Sequence, residues 1–305
     1  MSGRSTAPLA VVIATRNRGA QIEDTIRSIL CSNLRNFELR IIDQSDDSRT
    51  EECVKRYASD MRLHYIRSCS RGLSAGRNIG ISNSGCELIA LTDDDCEVQS
   101  DWPEELVSAF APDQRIGVVL GNVLPGPHDR LRGFIPSYIR SEPFMARSIR
   151  EKPEVEGIGA CMGLRRSCWH DLGGFDPLLG AGARFRAGEE VDLIIRALTA
   201  GYFVYETPRL AVTHLGFRSW RESRELIGGH LYGLGAAFAK QVRCRHRGVI
   251  PILAKLAERW AFKQPAVYYG LRRQRRLRLV SFLRGFWAGL LTPVDRTRGH
   301  FGCGN

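Results

Sequence analysis

The sequence Leu-Ile-Ala-Leu-Thr-Asp-Asp-Asp at residues 88–95 joins a short apolar run to three consecutive carboxylates. Short apolar runs bounded by polar residues are typical of strands that are buried in a sheet. Three adjacent carboxylates repel one another and lose hydration when buried, so they need a positive partner, for which a divalent cation is the simplest choice. We therefore expect Asp93, Asp94 and Asp95 to form a chemical centre at the end of a buried strand.

Apolar runs alternate with amphipathic segments along the first half of the chain. This alternation predicts βαβ units, which build a largely parallel sheet covered by helices. The predicted strands are 9–14, 37–42, 63–66, 88–92 and 117–123, and the predicted helices are 20–30, 48–58, 74–84 and 103–110. The fold class is therefore α/β, with a mostly parallel, Rossmann-like sheet.

Polar side chains follow three of the predicted strands. Thr15 and Asn17 come after the first strand, Asp43 ends the second, and the aspartate triplet ends the fourth. Because ligands bind beyond the carboxyl ends of parallel strands, these groups are expected to line one crevice. The first βα turn lacks Gly-x-Gly-x-x-Gly, and no Gly-x-x-x-x-Gly-Lys-Ser/Thr occurs, which disfavours a dinucleotide oxidoreductase and a P-loop enzyme.

The length and the cysteine content point to a globular protein with reduced thiols. With 305 residues, 43% of them hydrophobic, the chain can form one large α/β domain and an appended region. The nine cysteines include no Cys-x-x-Cys pair, and no signal peptide is recognised at the start. These features predict a cytoplasmic protein without disulfides or a structural zinc site.

The excess positive charge is confined to the C-terminal part of the chain. Residues 217–305 contain 18 Lys and Arg and 4 Asp and Glu, a net charge of +14, which leaves −3 for residues 1–216 out of the total of +11. This asymmetry predicts a catalytic domain over 1–216 and a basic, amphipathic helical region over 217–305.

An apolar stripe and an arginine cluster in the C-terminal region predict contact with an anionic membrane surface. The stripe consists of Phe282, Leu283, Phe286, Trp287, Leu290 and Leu291, and the cluster of Arg272, Arg273, Arg275, Arg276 and Arg278. The alternative is that the stripe packs on the catalytic domain. No DNA- or RNA-binding signature accompanies the arginines, so no nucleic-acid partner is expected. The longest uncharged stretch of the region, 226–239, is too short to span a bilayer.

Eight sequence blocks in a fixed order resemble family 2 glycosyltransferases with the GT-A fold. The blocks are VVIATRNR (11–18), IID (41–43), RGLSAGRNIG (71–80), TDDD (92–95), GGFD (173–176), GEEVDL (188–193), AGY (200–202) and VTH (212–214). The resemblance covers about residues 8–216. It implies a GT-A nucleotide-diphospho-sugar transferase fold and the inverting transfer of a sugar from a nucleotide donor to a hydroxyl acceptor.

The same resemblance assigns roles by position. The residues that it assigns to nucleotide-sugar binding are Thr15, Asn17, Asp43, Arg77, Asp93 and Asp94. Asp93 and Asp95 match the Asp-x-Asp motif, which holds a divalent ion, Mn²⁺ or Mg²⁺, against the diphosphate. His214 is a candidate third ligand that favours Mn²⁺, and its alternative is a core histidine at a strand end. A UDP-sugar is the leading donor.

An inverting transfer needs one general base to take the proton of the acceptor hydroxyl. Glu189 and Glu190 occupy the position where the family has Glu-Asp and uses the second acid, which points to Glu190. Because Glu190 is one methylene longer than aspartate, Glu189 stays open as the base. The glycine-rich stretch 173–188 is expected to form a mobile acceptor loop that leads to this position.

The predicted function is therefore a metal-dependent glycosyltransferase that acts in the synthesis of a polysaccharide, a glycolipid or a glycosylated metabolite. It is expected in the cytoplasm, either free or peripheral on the inner face of the cell membrane. Two alternatives stay open, a nucleotidyltransferase and an inactive relative that binds membrane or nucleic acid. The sequence leaves the sugar, the acceptor and the oligomeric state undetermined.

Overall fold

A mixed sheet forms the centre of the computed structural model, which describes residues 7–246, 248–262 and 275–302. The strands are β1 (Leu9–Thr15), β2 (Glu38–Asp43), β3 (Leu63–Arg67), β4 (Leu88–Thr92), β5 (Cys96–Val98), β6 (Ile116–Pro125), β7 (Gly133–Phe134), β8 (Phe144–Ala146), β9 (Cys161–Arg165), β10 (Phe203–His214), β11 (Arg218–Ser219), β12 (Val294–Asp295) and β13 (His300–Phe301). The central sheet has the order β3-β2-β1-β4-β9-β6-β10-β5, and β8 also pairs with β10.

The first four strands of this sheet pair in parallel, as the βαβ pattern predicts. β6 and β10 are also parallel to each other. β9 lies between β4 and β6 and is antiparallel to both, so it joins the two parallel parts into one sheet. The predicted α/β class with a largely parallel sheet is confirmed, whereas β9 and β10 are not among the predicted strands.

The helices cover the sheet and continue into the C-terminal region. They are α1 (Ile22–Leu30), α2 (Arg49–Lys55), α3 (Leu73–Ser82), α4 (Trp102–Ala109), α5 (Arg166–Asp171), α6 (Glu189–Thr199), α7 (Ser223–Arg243), α8 (Val249–Phe262) and α9 (Arg275–Leu291), with a 3-10 helix at Ile149–Glu154. In α1, Ile22, Ile26 and Ile29 recur at helical spacing and are fully buried. Glu23 and Asp24 stand in its first turn, where the helix dipole favours negative charge.

The hydrophobic core lies on both faces of the sheet. Along β1, Leu9, Val11 and Ile13 pack into the cluster on one face, and Ala10 and Val12 pack into the cluster on the other. This alternation follows from the two-residue period of a strand. A strand buried on both faces reads as a continuous apolar run, which is why β1 and β4 are recognisable in the sequence.

A buried ion cluster ties the C-terminal region to the rest of the protein. Lys240 of α7 lies 2.7 Å from Asp176 and 2.8 Å from Asp192, and all three side chains are fully buried. Asp192 also pairs with Arg196 at 2.9 Å, and the backbone N–H of Phe301 donates to Asp176 at 2.7 Å. The cluster thus joins α7, α6, the glycine-rich stretch and β13.

Helices α7 and α9 pack with their backbones in contact. A Cβ atom placed on Gly285 would lie 1.9 Å from the carbonyl oxygen of Tyr232, and one on Gly235 would lie 2.1 Å from that of Phe282. Only glycine permits so close an approach. The face of α9 that meets α7 is therefore built mainly from small residues.

The predicted single apolar stripe on α9 is wrong, because its members point in two directions. Phe282 is buried and Phe286 packs beside it, whereas Leu283, Trp287 and Leu291 are 53%, 64% and 69% exposed. Because α9 packs closely on α7 through its glycines, its small residues and Phe282 face α7. The side chains of Leu283, Trp287 and Leu291 therefore face outward. Of the predicted arginine cluster, Arg272 and Arg273 lie outside the described residues. Among the helices of the described ranges, none combines the length and the apolar character needed to cross a membrane.

Candidate active site

A cleft of about 440 Å³ opens at the carboxyl ends of β1 and β4. Its walls come from the turn after β4, the first turns of α3 and α6, the end of β10, the loop at 158–160 and one residue of α7. The predicted site residues in its lining are Thr15, Arg77, Asp93, Asp94, Asp95, Glu189, Glu190 and His214. The structure therefore brings most of the predicted residues together at one place.

The pairing of β5 with β10 positions His214 beside the aspartate triplet. Asp93, Asp94 and Asp95 form the turn between β4 and β5, and the antiparallel register places His214 opposite Cys96. As a result, Nε2 of His214 lies 3.1 Å from Asp95, while its Nδ1 lies 2.9 Å from the carbonyl oxygen of Pro136. Burial acts to lower the pKa of His214, but the hydrogen bond to Asp95, the charges of Asp95 and Asp93 and the contact with Pro136 together outweigh burial, and the pKa is raised.

Arg18 is the positive partner of the two more buried aspartates. Its guanidinium lies 2.8 Å from Asp94 and 2.7 Å from Asp95, and the hydroxyl of Thr15 donates to Asp94 at 2.6 Å. The charge compensation that the sequence assigns to a divalent cation is thus also supplied by an arginine. The Arg18 guanidinium can reach both aspartates because the loop after β1 passes beside the turn after β4.

The neighbouring carboxylates Asp94 and Asp95 have opposite proton affinities. Burial raises the pKa of Asp94 to about 6, in spite of Arg18 and the Thr15 hydroxyl. Burial also acts on Asp95, but the hydrogen bond from His214 and the charges of His214, Arg18 and Arg218 lower its pKa to about 2. Asp95 is therefore the more firmly ionised of the two.

Arg77 of α3 links the aspartate triplet to the first turn of α6. Its guanidinium donates to Asp93 at 3.2 Å and to the carbonyl oxygen of Gly159 at 3.1 Å, and it lies 3.7 Å from Glu189. The Arg77 side chain is 2% exposed, and its Nη1 has no hydrogen-bond partner among the described residues. Arg77 thus places a buried guanidinium at the cleft whose Nη1 has an ion-pair contact with Glu189 but no hydrogen bond within the described ranges, which is a group suited to an anionic ligand.

Glu189 and Glu190 begin α6 at the edge of the cleft. The residue before them, Gly188, has φ = +91° and lies close to the backbone of Gly233 in α7, so glycine is required there. Burial, followed by the charge of Glu190, raises the pKa of Glu189 well above its ordinary value. Glu189 therefore tends to hold a proton, and Glu190 faces the cleft beside it.

Asn17 and Asp43 do not belong to the cleft lining that the other site residues share. Asp43 is fully buried and accepts hydrogen bonds from the Tyr65 hydroxyl at 2.7 Å and the Ser45 amide at 2.8 Å. Asn17 has φ = +57°, and its amide group exchanges hydrogen bonds with Asp46. Both residues fix the loops at the ends of β1 and β2 that border the cleft.

Asp95 and His214 form a hydrogen-bonded pair whose separation would also suit two ligands of one ion. Two ligands at about 2.1 Å from an octahedral ion, set at a right angle, lie about 3.0 Å apart, and these side-chain atoms are 3.1 Å apart. Cys96 completes a group of possible ligand atoms within 4.8 Å of one another, but burial raises the pKa of its thiol well above the ordinary value. Asp93 lies at the other side of the triplet, where Arg77 contacts it.

The site residues that sequence reasoning missed include Arg18, Arg218 and His230. Arg18 stands in the quoted block 11–18, and its position four residues before α1 gave no separate signal. His230 comes from α7 in the C-terminal region and lines the cleft, where the charge of Glu190 acts on it. Nothing in the local sequence of α7 indicates this contact, because it depends on how α7 packs on α6.

Solved structures show which class of fold this is. A mannosyltransferase from Pyrobaculum calidifontis, solved in complex with GDP-Man and Mn²⁺, has a TM-score of 0.62 at 18% identity over 93% of this chain and 87% of its own. S. aureus TarS 1-349 in complex with UDP-GlcNAc has a TM-score of 0.60 at 12% identity over 91% of this chain and 81% of its own. The fold is thus the GT-A fold of glycosyltransferases, as predicted.

The sequence pattern described as Glycosyl transferase family 2 matches residues 10–173, and the chain belongs to this family. An uncharacterized glycosyltransferase of Rickettsia conorii is 32% identical over 192 residues, which is 56% of this chain and 32% of that protein. An uncharacterized protein of Mycobacterium tuberculosis is 34% identical over 100 residues, 32% of this chain and 36% of its own length. The chain spans about a third of the length of these curated relatives.

Proposed function

We propose that the protein transfers a sugar from a nucleoside diphosphate sugar to a hydroxyl acceptor, with inversion and with the help of a divalent cation. The observation that carries the proposal is that Arg77, Asp95, His214 and Glu190 line one cleft, and that Nη1 of Arg77 makes no hydrogen bond within the described residues. An anion site, a cation site and a general base within one cleft are the parts that such a transfer requires.

The donor diphosphate is proposed to lie between Arg77 and the aspartate triplet. Arg77 would donate to a phosphate oxygen from Nη1, which lies 3.7 Å from Glu189 and makes no hydrogen bond within the described residues, while its Nη2 stays on Asp93 and Gly159. A guanidinium that is already fixed by two contacts binds a phosphate with little loss of side-chain freedom. Arg18, which Asp94 holds with the Thr15 hydroxyl bound to the same carboxylate, is proposed as a second positive group for the diphosphate.

Asp95 and His214, with Asp93, are proposed to hold the cation, with Mn²⁺ ahead of Mg²⁺ because an imidazole is among the ligands. The 3.1 Å separation of Asp95 and His214 and the burial of both side chains support this set. When bound, the cation stabilises the negative charge that develops on the leaving diphosphate. Arg218, 4.0 Å from Asp95, adds a fixed positive charge on the same side.

Glu190 is proposed as the general base and Glu189 as its neighbour that positions Arg77. Glu189 is buried and lies 3.7 Å from Arg77, and this contact gives it a different task from that of Glu190. His230 of α7 faces the same side of the cleft as Glu190. The C-terminal region is therefore proposed to complete the acceptor side of the site.

The nucleobase is proposed to bind at the ends of β1 and β2, with Asp43 and Asn17 as the residues that fix this end. Uridine is the first base to test, with guanosine next, because TarS binds UDP-GlcNAc and the Pyrobaculum mannosyltransferase binds GDP-Man. The acceptor is proposed to belong to a polysaccharide, a glycolipid or a metabolite. A site on the inner face of the cell membrane is proposed for the protein, in view of its basic C-terminal region.

Calorimetric titration tests the donor site. UDP is titrated into the protein with Mn²⁺, with chelator, and in the variant Asp95→Asn, and GDP is titrated in parallel. We expect binding that requires both the metal and Asp95, with affinity reduced at least tenfold in the variant. Asp113→Asn is the matched control, because Asp113 is paired only with the neighbouring Arg115 at 2.8 Å. No binding of either nucleotide would contradict the donor site.

The base assignment is tested by the slow hydrolysis of donor sugars, which needs no acceptor. Glu190→Gln is expected to lower the hydrolysis rate by a factor of about 10² to 10⁴, the usual contribution of a general base, with UDP affinity unchanged. Glu189→Gln is expected to weaken UDP binding through Arg77. The reverse pattern would make Glu189 the base.

A further inference from the structure

The outer face of α9 is an apolar surface with arginines on its flanks. Leu279, Val280, Leu283, Trp287 and Leu291 on this face are between 52% and 69% exposed. The spacing of three to four residues places them on one side of the helix. We call these five residues the outer stripe.

The outer stripe continues into a groove between α7, α9 and the loop before α6. This groove has a volume of about 540 Å³, and its walls include Tyr232, Leu283, Trp287 and Leu291. Arg284 of α9 and Arg184 of the loop at 173–188 also line it. Large aliphatic and aromatic side chains thus share one surface with two guanidinium groups.

The charge around the outer stripe has one sign. Residues 275–291 contain four arginines and no acidic residue. Arg184, Arg276 and Arg284 make no ion pair within the described part of the chain. A face on which arginines flank Trp and Leu matches an anionic lipid surface, where the headgroups meet the arginines and the acyl region receives the apolar side chains.

We infer that the outer stripe docks on an anionic lipid bilayer and that Arg184 brings the loop at 173–188 into the same contact. The inference rests on the proposed function, because that loop borders the site: Ala181 and Gly182 line the cleft, while Arg184 lines the groove. A bilayer bound at the groove therefore lies beside the proposed acceptor side. It follows that the acceptor is presented at the membrane surface.

Vesicle flotation of the full chain tests the inference. Vesicles contain equal parts of phosphatidylglycerol and phosphatidylcholine, and vesicles of phosphatidylcholine alone serve as the neutral comparison. We expect binding to the anionic vesicles that weakens as salt increases. Trp287→Ser is expected to reduce the binding about tenfold or more, and Arg276→Gln and Arg284→Gln about fivefold each.

Matched controls distinguish binding through the outer stripe from nonspecific adsorption of exposed apolar side chains to vesicles. Met61→Ser removes an apolar side chain that is 88% exposed and precedes the edge strand β3, so it should leave flotation unchanged. Calorimetry with UDP on the same samples reports the donor site independently. A protein that binds UDP but stays away from anionic vesicles, or floats equally well with Trp287→Ser, overturns the docking inference alone. Self-association that Trp287→Ser abolishes, without vesicle binding, would also overturn it, because the occupant is then a second copy.

Discussion

Replacement of Lys240 by methionine measures how firmly the C-terminal region is joined to the site. Lys240, Asp176 and Asp192 have no exposed side-chain surface, and Lys240 contacts both carboxylates within 2.8 Å. With Arg196, the cluster has two positive and two negative charges. Lys240→Met preserves most of the side-chain volume and leaves one uncompensated buried negative charge.

The expected cost follows from this imbalance. Removing one partner of a buried ion pair costs about 3 to 5 kcal/mol of unfolding free energy, because the remaining charge stays desolvated. At about 2.1 cal/mol/K of unfolding entropy per residue, 305 residues convert this loss into a decrease of about 5 to 8 °C in Tm. The double variant Lys240→Met/Asp176→Asn restores neutrality, and we expect it to recover part of the loss.

Urea denaturation followed by circular dichroism, with a thermal scan, provides the assay. Lys255→Met is the control, because Lys255 is exposed on α8 and its replacement should change the unfolding free energy by less than about 0.5 kcal/mol. A loss below about 1 kcal/mol in Lys240→Met would refute the reasoning, since a buried unpaired charge costs more than that. A double variant no more stable than the single one would refute the electrostatic explanation.

Three further predictions use other parts of the structure. Gly285→Ala should destabilise the protein, because its Cβ would lie 1.9 Å from the carbonyl oxygen of Tyr232. Gly228→Ala is the comparison: its nearest neighbour lies at 3.6 Å, so it should stabilise α7 by up to about 1 kcal/mol. Equal melting temperatures of the two variants would contradict this prediction. Burial and the charge of Arg196 hold the pKa of His300 below 6.5, so below pH 6.5 the unfolded chain binds a proton that the folded one does not. The stability advantage of wild type over His300→Asn, measured in urea, should therefore shrink between pH 7.5 and 5.5 by at most about 1.4 kcal/mol per pH unit; an advantage independent of pH would exclude this. Removing the divalent cation with chelator should abolish UDP binding and leave the Tm almost unchanged; a large fall in Tm on chelation would show that folding itself needs the ion.

The sequence predicts the first half of the fold because its strands are buried on both faces. Residues 88–92 form β4 with the predicted bounds, and the other predicted strands agree within one or two residues at each end. β9 was not predicted, because it lies antiparallel between two parallel parts of the sheet. Neither its length nor its composition indicates which strands it pairs with. The position of a strand in a sheet is set by long-range pairing.

The candidate site also contains residues that the sequence predicts and residues that depend on long-range contacts. Residues that belong to ordered motifs, such as Asp95 and Glu190, were found from the sequence and line the cleft. His230 and Arg18 were missed because their contacts join segments that are far apart in the chain. The direction of each α9 side chain was also missed, since helical spacing defines faces but not which face meets α7.

The contact of Arg18 with two aspartates has a consequence for how the protein exchanges ions. Because Arg18 lies 2.8 Å from Asp94 and 2.7 Å from Asp95, the proposed cation would compete with a charge tethered to the same chain. Its apparent affinity would then be the difference between two electrostatic energies, and we expect it to be weak in the free protein. A diphosphate that draws Arg18 toward its own oxygens would release the carboxylates and raise that affinity. The nucleotide and the cation would then bind cooperatively, each raising the affinity of the protein for the other.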